Sequence, residues 1–161
     1  MSDDTHRARH VGAQLMTVAG AILVGYALFS IVRTVNGVRY EVGVDSLAPE
    51  ADPDPAMMDY VDHLHLALDG FTLATGVAVV CLSWYGVRRG YPWAWASAVA
   101  TTATAFVVSI PPHFGAAFGY DHLVHLGPMY VAVAAFAVGA AVSGWALHWD
   151  ARTPADDRVE E

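Results

Sequence analysis

The chain contains no lysine, a single cysteine and, over four long stretches, no Asp, Glu, Lys or Arg at all. Each absence narrows what the protein can be. With Cys81 alone no intrachain disulfide forms, and nothing in the sequence reports the redox state of its compartment. Lying deep in an apolar run, Cys81 is expected to be a small buried hydrophobe. Without lysine, all the positive charge is arginine, and the net charge is −8. That sign repels a phosphate backbone, so nucleic acid is excluded as a partner.

The charge-free stretches are residues 11–32, residues 70–87 with Leu64, Leu66, Ala67 and Leu68 upstream, residues 91–110 up to the Pro111-Pro112 break, and residues 123–147, where His125 is the one ionisable member. Crossing a hydrocarbon core of about 30 Å takes about 20 mostly apolar helical residues. At 55% hydrophobic and 15% charged, the composition lies outside the soluble norm. The expectation is an all-α integral membrane protein, four transmembrane helices in an up-down bundle. Residues 1–161 form a single membrane domain with helices at about 11–33, 55–87, 91–111 and 121–148, an acidic loop at 34–54 and a disordered acidic tail at 150–161. The first stretch is too long for a signal-peptide core, and Ser30-Ile31-Val32-Arg33 lacks a small-x-small cleavage pattern, so it reads as a retained helix.

Arginine placement sets the expected topology. Arg7 and Arg9 precede the first helix, Arg88 and Arg89 fill the turn between the second and third, and Arg152 and Arg158 follow the fourth. Four spans place all of them on one side, which makes this a multi-pass cell-membrane protein with both termini cytoplasmic. Arg33 and Arg39 fall on the outer side, outnumbered and embedded in acid. Trp84, Tyr85, Tyr91, Trp93, Trp95, Trp145 and Trp149 then form the inner aromatic belt. In the outer loop, Asn36-Gly37 has turn chemistry, residues 39–44 could pair as a hairpin, and Asp54 with Pro55 makes a helix start. On the last helix Ala135, Gly139 and Ser143 form a ladder of small residues suited to close helix contact.

Two apolar runs open on similar ionisable strings, YVDHLHL from residue 60 and YDHLVHL from residue 120. Either the likeness is accidental or the chain is two tandem helical hairpins, related by an axis along the membrane normal, with the outer ends of helices two and four brought together. Residues three or four apart share a helix face, so Asp62, His65 and Asp69 form one stripe, and His122, His125 and Met129 form another. Asp62-x-x-His65 and His122-x-x-His125 resemble, in spacing alone, the ligand pairs of di-metal helix bundles. One carboxylate and three imidazoles suit Zn, Fe or Cu. Asp69 would fix the His65 tautomer from the second layer, and His113 would reach the same site from the Pro-Pro loop. Haem b, held by His65 with His125 or His122, is the other use of the same atoms, although only Arg33 and Arg39 are at hand for its propionates.

Against these stands the plain reading that His and Asp at a helix mouth are solvated interfacial groups. It is preferred for Asp54, Asp59 and His63, and for His6, His10 and His148 as isolated inner-side residues. Ionisable residues at membrane depth are costly and mark sites, which favours function for His65, Asp69, His122 and His125. Phe71 and Met129 read as packing. Three function classes remain. The first is a metal or redox protein, directed at a lipid or quinone. The second is a proton- or cation-sensing protein. The third is a small accessory subunit that contacts membrane lipids and a partner subunit or a second copy. No serine or cysteine nucleophile arrangement is present, and the runs of helices one, three and the inner half of four carry no ionisable residue that would line a permeation path.

Overall fold

In a computed structural model the described residues are 3–38, 54–111, 114 and 122–152, with residues 122–125 and 150–152 described by backbone alone. Helix α1 covers Asp3–Val35, so it begins well before the apolar run and includes the polar N-terminal residues. Asp3 and Asp4 in its first turn and Arg33 in its last complement the helix dipole, which is one reason the polar segment continues the helix. The C-terminus of α1 is closed by Gly37 at φ +70°, with the Val38 amide bonded to the Arg33 carbonyl at 2.9 Å. Helix α2 covers Pro55–Cys81 and starts as its sequence implies, the Asp54 carboxylate accepting from the Ala56 amide at 3.0 Å with Pro55 in the first turn. It runs on through a π-helical turn, Leu82–Gly86, and a 3-10 turn, Val87–Arg89, before Gly90 reverses the chain at φ +86°. Helix α3 covers Pro92–Ser109 and α4 covers His122–Arg152. No strand occurs among the described residues, and the segment 39–44 lies outside them.

Helix α1 is the centre of the packing, lying against α2 on one side and α4 on the other. Both contacts rest on glycine. A methyl group on Gly20 would fall 2.9 Å from the Gly76 carbonyl oxygen, and one on Gly76 would fall 2.8 Å from that of Gly20. At the other crossing, a methyl on Gly139 would meet the Gly12 carbonyl oxygen at 2.6 Å, and one on Gly12 would meet the Ser143 amide nitrogen at the same distance. Backbone lies directly against backbone at both points, which only small residues permit. Ser143 turns its hydroxyl back to the Gly139 carbonyl at 2.7 Å and reaches the Met16 sulfur at 3.4 Å, so it adds a polar contact without an unmet donor. Two of the three ladder residues, Gly139 and Ser143, are thus at the crossing itself, and Ala135 packs at the edge of the core.

Helix α3 docks by a different means. Gly86 sits against Ala94, and the Trp95 ring lies over Gly144, its indole N–H donating to the Ala140 carbonyl at 2.9 Å. Trp95 is therefore a bracket between α3 and α4. Trp93, Trp145 and Trp149 stay exposed. Cys81, expected to be buried, is exposed, because the buried positions on this part of α2, Gly76, Val79 and Ser83, face inward and Cys81 lies off that stripe.

Three helices are long and apolar enough to cross a membrane: Asp3–Val35, the continuous helical run Pro55–Arg89, and Leu126–Trp149. α3 falls outside this set. It has 18 residues and its apolar content is diluted by Thr101, Thr102 and Thr104 and by the tryptophans of its first turns. Among the described residues α2 and α4 each pack chiefly against α1.

Substituting the crossing glycines tests this arrangement. Gly20→Val and Gly139→Val should each destabilise the bundle by about 1–3 kcal/mol, the usual cost of overpacking, whereas Gly25→Ala, with nothing within 4 Å of the added methyl, should leave the melting temperature in detergent unchanged. Equal behaviour of all three would contradict the backbone contacts. Trp95→Phe should cost about 0.5–1.5 kcal/mol through the lost hydrogen bond.

Candidate functional site

The α2 stripe resolves into three unlike environments. Asp62 and His65 are half-buried, His63 is exposed, and Asp69 is 5% exposed at the α1–α2 interface. Across that interface the Ser30 hydroxyl, itself buried, donates to the Asp69 carboxylate, and His65 lies one turn away on the same helix. The second carboxylate oxygen, Oδ2, has no hydrogen-bond partner among the described residues. An interhelical hydrogen bond of this kind returns on average about 0.6 kcal/mol in a membrane protein, so Ser30 offsets little of the cost of burying the carboxylate.

His65 is held by its own helix. Its Nδ1 lies 2.9 Å from the Val61 carbonyl oxygen. A carbonyl can only accept, so Nδ1 carries the proton and, in the neutral ring, Nε2 presents a lone pair. The expected tautomer lock by Asp69 is replaced by this backbone bond, since Asp69 is turned towards Ser30 instead. The result is still a histidine with one nitrogen occupied and the other free to coordinate.

Among the described residues, no three His, Cys, Asp or Glu side chains converge as a metal-binding group. His113 and the side chains of His122 and His125 lie outside the described residues. The backbone of α4 does carry His122 and His125 in its first turns, and Met129, one turn further along the same stripe, is described. Met129 lines a cleft of about 330 Å³ together with Leu68, Phe71 and Thr72 of α2 and Thr101 and Thr104 of α3. Phe71 and Met129, both read as packing, border this cleft, whose lining does not include Asp69. The cleft is mainly apolar, and two of its hydroxyl groups are turned inward to their own helices, Thr72 to the Leu68 carbonyl at 2.9 Å and Ser109 to the Ala105 carbonyl at 2.5 Å.

Sequence reasoning missed Ser30, whose only signal was a serine in the apolar run at the level of a buried acid. It also treated His6 and His10 as isolated. Their rings meet at a tilt with centroids 4.3 Å apart, and they share a pocket with arginines at the opposite end of the bundle. Their i, i+4 spacing was legible, but the meeting with Arg88 and Arg89 required the fold. No protein-family model, curated protein or solved structure matches this chain.

Proposed function

We propose that the chain is a four-span membrane protein with a cation site towards the outer ends of helices α2 and α4, and that the cation is a transition metal such as Zn, Fe or Cu. The observation that carries this reading is Asp69, a carboxylate buried between two apolar helices with one oxygen unpartnered among the described residues. His65 supplies an oriented nitrogen on the same stripe. His122 and His125, at the start of α4, would complete the ligand set, with Asp62 and His113 as further donors. The cleft bordered by Met129, Phe71 and Thr72 gives a route by which a lipid or quinone could approach from the bilayer.

α3 serves as the fourth span in this reading. Its 18 residues reach about 27 Å, close to the hydrocarbon thickness, and Tyr91 and Trp93 stack at one end with ring centroids 6.2 Å apart. With four spans, Arg9, Arg88 and Arg89, which gather at one end, mark the cytoplasmic side.

A second reading has its own support. The Ser30–Asp69 pair alone could hold a proton or a small cation at the α1–α2 interface, so that the chain senses protons or acts as an accessory subunit without metal. Metal analysis of protein purified in detergent divides the two. The metal reading predicts near-stoichiometric metal, or for a haem a Soret band, lost in His65→Ala, Asp69→Asn and His125→Ala while His63→Ala retains it. Metal-free protein that cannot be loaded with Zn, Fe or Cu contradicts it. For topology, tags placed before Met1 and after Glu161 should both be protected from protease in sealed cells, and exposure of either would overturn the orientation.

A further inference from the structure

At the end of the bundle away from Asp69, the reversal after α2 points two arginines at the start of α1. The chain reaches this geometry because the π-helical turn Leu82–Gly86 and the 3-10 turn Val87–Arg89 tighten the helix just before the left-handed Gly90. Arg88 lies over the Trp84 ring, 4.4 Å from its centroid, and Arg89 lies over Tyr85 at 5.9 Å. These rings hold the guanidinium groups by cation–π contact, and neither arginine pairs with a carboxylate among the described residues. From α1, Arg9 is 7% exposed, with its guanidinium packed on Gly90, 3.2 Å from where a side chain there would begin. The His6 and His10 rings meet at a tilt of 37°, one turn apart on the same face, and Arg88 and Arg9 are the cationic neighbours of His10. Together these groups line a cavity of about 510 Å³.

Three guanidinium groups around one cavity, flanked by two imidazoles in a protein of net charge −8, concentrate positive charge at one place. The positive-inside bias accounts for arginines on a loop, but not for their convergence with a buried arginine from a different helix. We propose that this cavity is a phosphate-binding site, taking either the headgroup phosphate of an anionic phospholipid or a soluble phosphate. Planar guanidinium forks match phosphate oxygens in pairs, and basic pockets between helix ends at the membrane surface suit anionic headgroups. Tyr91 and Trp93, exposed just beyond Gly90, place the cavity at the level where headgroups lie. Asp69 lies roughly 28 Å along the helix axis from Arg88, so the phosphate site stands or falls independently of the cation site.

The test uses the full chain in detergent micelles and in phosphatidylcholine nanodiscs with and without phosphatidylglycerol. Lipid retention is read by native mass spectrometry, and inorganic phosphate binding by calorimetry. Trp84 beside Arg88 offers a fluorescence signal. R88Q/R89Q is the test variant. R33Q is the control, because Arg33 lies at the other end of α1 over the Phe29 ring. Selective phosphatidylglycerol retention, weakened about tenfold or more in R88Q/R89Q and unchanged in R33Q, supports the site and identifies a lipid source. Binding of inorganic phosphate with the same variant pattern supports it with a soluble source. Equal retention of both lipids together with no phosphate binding, or equal weakening in R33Q and R88Q/R89Q, would overturn it. Should R88Q/R89Q fail to fold, R88K/R89K replaces it, with weaker binding expected from loss of the fork at retained charge.

Discussion

Close approach of backbone to backbone along α1 is the contact on which the rest of the structure depends. Gly20 against Gly76 and Gly12 against Gly139 let one helix serve two neighbours at once. In an apolar solvent there is little hydrophobic gain in bringing helices together, so dispersion between close surfaces must provide the contact energy. Larger residues at these points would push α2 and α4 outward. Ser30 would then be drawn from Asp69, and the start of α1 from Arg88 and Arg89. Both polar clusters follow from where α1 is held.

The two ends of that helix do different work. Near its C-terminus α1 offers one hydroxyl to a buried carboxylate whose other oxygen has no partner among the described residues. Near its N-terminus it offers a buried arginine and two imidazoles in contact with each other to a cationic turn. Between them the buried positions are apolar or small, with Ala13, Met16, Ala19, Leu23 and Ala27 in the interior. The two polar clusters are thereby kept apart by an apolar middle.

Much of the fold was legible from composition and pattern. The apolar runs, the Asp54–Pro55 helix start, the Gly37 turn and the Gly139–Ser143 contact all follow from local chemistry, which the sequence states directly. What it could not state was pairing. Period and hydropathy say that a helix is buried along a stripe, but not against which partner, so α1 in the centre, Trp95 as a bracket and Cys81 facing outward had to come from three dimensions. The same limit applied to the sites. Asp69 could be singled out because an acid in an apolar run is costly wherever it lies, whereas its partner Ser30 is unremarkable in sequence. His65 was placed on the correct stripe, yet its Nδ1 is held by Val61 of its own helix instead of by Asp69.

The central claim is that Asp69 and His65 belong to a metal site, and Co²⁺ loading tests it most directly. Cobalt reports its ligands through visible absorption, so the account predicts intense bands of low-coordinate, nitrogen- and oxygen-ligated Co²⁺ at one equivalent, displaced by Zn²⁺ and absent from Asp69→Asn. A spectrum no different from that of hydrated Co²⁺, in protein that retains its helical content, would contradict it.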